Sequence, residues 1–147
     1  MQITKVLSAS LIILCLSSCA STQLYYWGDV ASNGVYQYDN AAYNYYDLQS
    51  PKAICDLIMI YEDMVTHPGG LRQMPPPGIC AEYGYLLLTP DIDQIFASTA
   101  SPRQKRQMSR TDFYQYGLDL MQRELYLYPE SAQFIEPLVR RTKERQP

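Results

Sequence analysis

The sequence predicts an all-α fold, a short array of antiparallel helix pairs with a tyrosine-rich cap at its N-terminal end. Three observations carry this expectation. Ile54, Leu57, Ile58, Tyr61, Met64 and Val65 recur at the three-and-four spacing that places apolar side chains on one helix face. The same spacing returns in Phe113, Tyr116, Gly117, Leu120, Met121, Glu124 and Leu125. Breaks at His67–Gly70, Pro75–Pro77, Thr89–Pro90 and Pro129 separate these segments by short connections, which makes sequential helices antiparallel neighbours.

Composition supports a packed chain. Of 147 residues, 47% are hydrophobic and 18% charged, unlike a disordered acidic tail. Lys5 and the amino terminus precede an apolar run from Val6 to Leu16, the length of a signal segment and short of the roughly 18 to 20 residues of a membrane span. Leu16-Ser17-Ser18-Cys19 then resembles the lipobox of bacterial lipoproteins, in which the Cys is acylated and becomes the mature N-terminus. The expected organisation is a signal peptide over 1–18, a lipid-proximal spacer over 19–24 and a single helical domain over 25–147 with an insert at about 91–110. Cutting before Cys19 leaves 129 residues, enough for one core.

The mature part carries 11 basic and 15 acidic side chains, which argues against a general affinity for nucleic acid. Its charge is uneven. Residues 19–50 hold Asp29, Asp39 and Asp47 with no Lys or Arg, whereas residues 101–147 hold nine basic and six acidic groups.

Taken in order, the first element is the tyrosine segment, where seven of the chain's 14 tyrosines fall between Tyr25 and Tyr46. Two readings stand side by side. The rings pack on the following helices, with Ser32 capping a helix through about Tyr46 and Val35, Tyr36, Ala42, Tyr43 and Tyr46 as its stripe. Alternatively they form a surface for a protein partner or glycan, since Tyr and Trp join a large apolar face to a hydrogen-bonding edge. The candidate binding residues are Tyr25, Tyr26, Trp27, Gly28, Asp29, Tyr36 and Tyr38.

Ser50-Pro51 is a strong helix start, with Ser at the cap and Pro where its missing N–H costs nothing. On that helix Lys52, Asp56, Glu62 and Asp63 are expected to form a solvated face. His67-Pro68-Gly69-Gly70 ends it, a glycine supplying the left-handed cap. A helix over about Gly78 to Leu88 follows, then short helices from Ile92 and Ser101-Pro102 in a solvated insert carrying Arg103, Lys105 and Arg106. Thr111 caps the next helix. The last begins at Glu130 and uses Phe134, Ile135, Leu138 and Val139.

Cys15 leaves with the leader and Cys19 takes the lipid, so Cys55 and Cys80 remain. Both fall near the starts of successive antiparallel helices, roughly 15 Å or more apart at about 1.5 Å per residue. That exceeds the roughly 7 Å Cα limit for a disulfide. Two buried thiols are expected, in a compartment that would permit a bridge.

Cys80, Tyr83, Gly84 and Leu87, followed by Gly117, Met121 and Pro129, resemble the spacing of a tetratricopeptide repeat, interrupted by the insert. The mature chain also resembles a family of outer-membrane lipoproteins of unknown function that are similar to tetratricopeptide proteins. The resemblance rests on Tyr25-Tyr26-Trp27-Gly28-Asp29, Val35-Tyr36-Gln37-Tyr38, Pro76-Pro77-Gly78 and Tyr128-Pro129-Glu130-Ser131. Val30 and Val35 depart from the Tyr and Leu of the family pattern. Such lipoproteins tend to be encoded beside a lipoprotein similar to the curli secretion channel.

The resemblance implies an envelope lipoprotein complex and names no ligand or activity; the function expected is a non-enzymatic scaffold or accessory subunit of that complex, with no cofactor and no small-molecule substrate inferred. The chain would be lipid-anchored at the outer membrane, facing the periplasm, with a curli-secretion-channel-like lipoprotein as partner. A glycan- or peptidoglycan-binding lipoprotein is the alternative. No phosphate loop, metal-ligand spacing or Cys/His pair is present in the sequence to support catalysis, and Asp91 and Asp93 are the sole close carboxylate pair in a loop.

Overall fold

The computed structural model describes residues 23–109 and 111–144. The lipobox and Cys19 lie outside the described residues. Within them the chain is all-α: α1 (Gln37–Leu48), α2 (Pro51–Thr66), α3 (Ile79–Leu87), α4 (Ile92–Thr99), α5 (Pro102–Gln107), α6 (Phe113–Leu127) and, after a 3-10 turn at Pro129–Ser131, α7 (Ala132–Glu144). Each helix of the main array packs on the next: α1 on α2, α2 on α3, α3 on α6 and α6 on α7.

α2 is central for the reason its periodicity gives. Leu57, Ile58, Tyr61, Met64 and Val65 are buried, each contributing about 1.5 to 3 kcal/mol when removed from water. Its start is as expected, with Pro51 in the first turn and Ser50 Oγ accepting from the Ala53 N–H at 3.2 Å, a cap contributing about 1 kcal/mol. α3 and α6 run antiparallel, since Glu124 reaches Gly78 at one end while Gly84 meets Gly117 further along. The crossing there is backbone on backbone. A Cβ on Gly84 would stand 2.6 Å from the Gly117 carbonyl oxygen, and one on Gly117 would stand 2.9 Å from that of Gly84. Any larger residue would pry the pair apart. Cys55 and Cys80 are free and buried, and burial pushes the Cys80 thiol up to about 12.

Several expectations need correction. No helix runs from Ser32. Asn33-Gly34 instead makes a tight turn in which Gly34 adopts φ 79°, Val30 bridges Tyr36 and Ala31 N–H donates to the Val35 carbonyl at 2.8 Å. α1 therefore begins at Gln37. The cap of α6 is Asp112, whose carboxylate accepts from the Gln115 N–H at 3.1 Å, and not Thr111. The insert is solvated on one side only. Arg103, Lys105 and Arg106 are exposed, but Ile92, Phe96, Ala100 and Met108 belong to the central core. Phe134, expected inside, is 68% exposed.

Candidate functional site

The Tyr-Tyr-Trp-Gly-Asp stretch is fastened to the loop after α2. Leu71 and Arg72 donate their N–H groups to the Gln23 and Leu24 carbonyls, each at 3.0 Å. Gly70 makes this possible: it adopts φ 72°, and a Cβ there would stand 2.7 Å from the Leu24 carbonyl oxygen. The left-handed glycine thus seats the N-terminal segment. The C-cap of α2 is His67, whose N–H donates to the Asp63 carbonyl, correcting the expectation that glycine caps this helix.

From that segment a column of aromatic rings crosses the array, one ring per element. Trp27 meets Tyr38 of α1 at 5.5 Å between centroids, Tyr38 meets Tyr61 of α2 at 5.9 Å, and Tyr61 stacks on Tyr83 of α3 at 5.5 Å. Tyr116 of α6 ends it, edge-on to Tyr83 at 5.8 Å. Contacts of this geometry contribute about 0.5 to 1.5 kcal/mol each beyond their burial.

Two carboxylates pin the column in a crossed pattern. Glu82, on α3, accepts from Tyr38 and Tyr61, both at 2.8 Å. Glu62, on α2, accepts from Tyr83 and Tyr116, both at 3.0 Å. Each carboxylate therefore ties together three helices, its own and two others. Burial pushes all four phenols up, and the neighbouring carboxylates push further in the same direction. Each hydroxyl stays a donor, so the network holds its protons in place and its effect is structural. Glu62 is thereby removed from the solvated face expected of it, whereas the Asp63 side chain stays 45% exposed. Asp63 accepts from Tyr26 at 2.9 Å and lies 3.2 Å from His67 Nδ1, while Lys52 and Asp56 do form an exposed ion pair.

Glu124 is a third internal carboxylate, one that the periodicity does not distinguish from its apolar neighbours. It is buried on α6 and accepts from the Gly78 N–H at 2.8 Å, where it faces the donor-rich start of α3. Burial raises its pKa.

The candidate binding residues are largely committed to internal contacts. Trp27 and Tyr38 belong to the column, Tyr26 is tied to Asp63, and Gly28 is buried beside Gln37 with φ 79°. Tyr25 is half-buried, Tyr36 is half-buried at the start of α1, and Asp29 is exposed while its carbonyl accepts from the Gln37 N–H. Among these seven the structure joins Trp27 to Tyr38 and Tyr26 to Asp29, and it presents other side chains outward. Tyr43 and Tyr46 of α1 are 68% and 69% exposed. Leu24, Val30, Val35 and Leu48 are exposed nearby in sequence, so residues 24–48 hold six of the ten exposed large apolar side chains identified among the described residues. The inward face of α1 is instead Tyr38, Ala41, Ala42 and Tyr45.

An open groove of about 630 Å³ runs between α2 and α5, with Met59 and Ile60 among its lining and Lys52 and Arg103 at its edge. Among the described residues no group of His, Cys, Asp and Glu is arranged to hold a metal, and no helix is long and apolar enough to cross a membrane. Comparison with known protein families, curated proteins and solved structures finds no match.

Proposed function

We propose that the chain is a non-enzymatic interaction protein, held by a lipid on Cys19 at the outer membrane and facing the periplasm, where it serves as a scaffold or accessory subunit of an envelope lipoprotein complex. The observation that carries the interaction reading is the outer sector of α1, where the exposed rings of Tyr43 and Tyr46 fall together with Asp39 and Asp47 at 100° per residue. Exposed apolar surface rimmed by polar groups marks protein contact sites. Residues 23–51 contain no Lys or Arg. The internal column supplies rigidity beneath these rings. The lipid reading rests on the lipobox resemblance, and the partner reading on the family resemblance, which points to a curli-secretion-channel-like lipoprotein.

Two experiments test it. Cys19→Ser should abolish acyl labelling in cells while leaving the circular dichroism of the domain unchanged; retained labelling would refute the lipid site. Photo-crosslinking in cells from position 46, followed by mass spectrometry, should recover an envelope protein. Recovery of nothing above background, with co-sedimentation of the chain on cell-wall sacculi, would favour the glycan reading instead.

A further inference from the structure

We propose that the end of the array formed by the loop after α2 and the C-terminal end of α6 rests on the phospholipid surface, with Leu24, Leu71 and Tyr126 in contact with the bilayer. This seating depends on the lipid proposed for Cys19. Gln23 and Leu24 are held on the loop by the N–H groups of Leu71 and Arg72, and Cys19 lies four positions before Gln23. Whatever path the intervening residues take, they span at most about 14 Å. A single helix with its side chains is about 10 to 12 Å across. A lipid on Cys19 therefore leaves room for at most one helix layer beneath this loop, and the bilayer is the surface the loop is held against.

The side chains there suit that surface. The end of α6 is tied to the same loop: Arg123 donates to the Val65 carbonyl at 3.0 Å, the Gly78 N–H donates to Glu124 at 2.8 Å, and the Tyr128 hydroxyl donates to the Pro75 carbonyl at 2.6 Å. Among these anchors Tyr126 is 83% exposed, Leu71 65% and Leu24 45%. Leucine gains by leaving water, and tyrosine can place its ring at the acyl boundary with its hydroxyl among the headgroups. The turn that carries Leu71 is braced, since Gln73 adopts φ 52° and its side-chain amide donates to the Gly70 carbonyl at 2.6 Å. Charges at this end are mixed, Arg72, Arg123 and His67 with Asp63 and Glu130. Apolar contact thus holds the seat, and salt should change it little. Leu48 supplies the contrast: it is 61% exposed but precedes the start of α2, whose 16 residues put it about 24 Å from the loop.

The test uses the full chain purified from membranes, its mass checked for the lipid, in vesicles of phosphatidylethanolamine and phosphatidylglycerol with brominated acyl chains. A fluorophore is attached through Leu71→Cys, Tyr126→Cys or Leu48→Cys. Cys55 and Cys80 are free but buried, so the introduced thiol takes the label. Quenching at positions 71 and 126 should exceed that at 48 by about threefold or more, as for groups about 5 to 10 Å into the headgroup boundary, and should persist in high salt. Leu71→Glu should bring quenching at position 126 down toward that at 48, with helical content unchanged. Equal quenching at the three positions, or quenching at 126 that Leu71→Glu leaves intact, would overturn the proposal while the lipid reading stands. A chain whose mass shows no lipid on Cys19 would overturn both.

Discussion

Tyr83 and Tyr46 are the same side chain in opposite circumstances. Tyr83 is fully buried, stacked on Tyr61 and bonded to Glu62. Tyr46 is 69% exposed and touches Tyr45 edge-on at 5.2 Å. The same division runs within α1, where Tyr38 and Tyr45 turn inward while Tyr43 and Tyr46 turn out. Register on a helix, and a carboxylate on the neighbouring helix, decide which tyrosine builds the fold. The rest are left to meet something else.

The largest effect that sharpens this contrast is truncation. Tyr83→Ala should cost about 3 to 5 kcal/mol by denaturant unfolding, as for other buried aromatics, whereas Tyr46→Ala should stay within about 0.5 kcal/mol. Equal costs would break the distinction. Next comes the clamp. Glu62→Ala strands the hydroxyls of Tyr83 and Tyr116 and should cost about 1 to 3 kcal/mol, while Asp47→Ala on the outer face should be nearly neutral. In a double-mutant cycle, adding Tyr83→Phe to Glu62→Ala should cost less than Tyr83→Phe alone, the sign of a shared interaction.

A third prediction concerns pH. Burial raises the folded-state pKa of Glu124 above the ordinary 4.5. The folded chain therefore holds this proton more tightly than the unfolded chain, and stability falls as pH rises from 4.5 through the folded value. Glu124→Gln lacks this loss, so its stability relative to the unaltered chain should increase across that window and then level off. A gap that stays constant with pH would refute the assignment. The smallest change expected is in the outer pair: Tyr43→Ser with Tyr46→Ser should leave the thermal midpoint almost unmoved.

Much of the fold was legible because its signals are local. The spacing of Ile54 to Val65 located α2, Ser50-Pro51 placed its start within a residue, and Gly84 with Gly117 marked the pair now seen to cross backbone to backbone. In the tyrosine segment Asn33-Gly34, a turn dipeptide, outweighs Ser32 as a cap and delays the helix to Gln37. Tyr38, Ala41, Ala42 and Tyr45 share one sector at 100° per residue and pack on the core, which leaves Tyr43 and Tyr46 facing out. Glu62 and Glu82 could not be assigned from periodicity. Their tyrosine partners lie on other helices, 21 or more positions away in sequence, and no local pattern encodes such a pairing. The insert shows the same limit: Ile92, Ile95 and Phe96 mark a short helix, but nothing local tells that Ile92 and Phe96, with Ala100 and Met108, join the central core.

On the proposed function the inner tyrosines hold the structure and the outer ones make contact. The full chain carrying Tyr43→Ser with Tyr46→Ser separates the two roles when its thermal midpoint and the envelope proteins crosslinked to it in cells are measured on the same protein. An unchanged midpoint with the crosslinked species lost is expected. Undiminished crosslinking, or a midpoint that falls as far as in Tyr83→Ala, would refute the division.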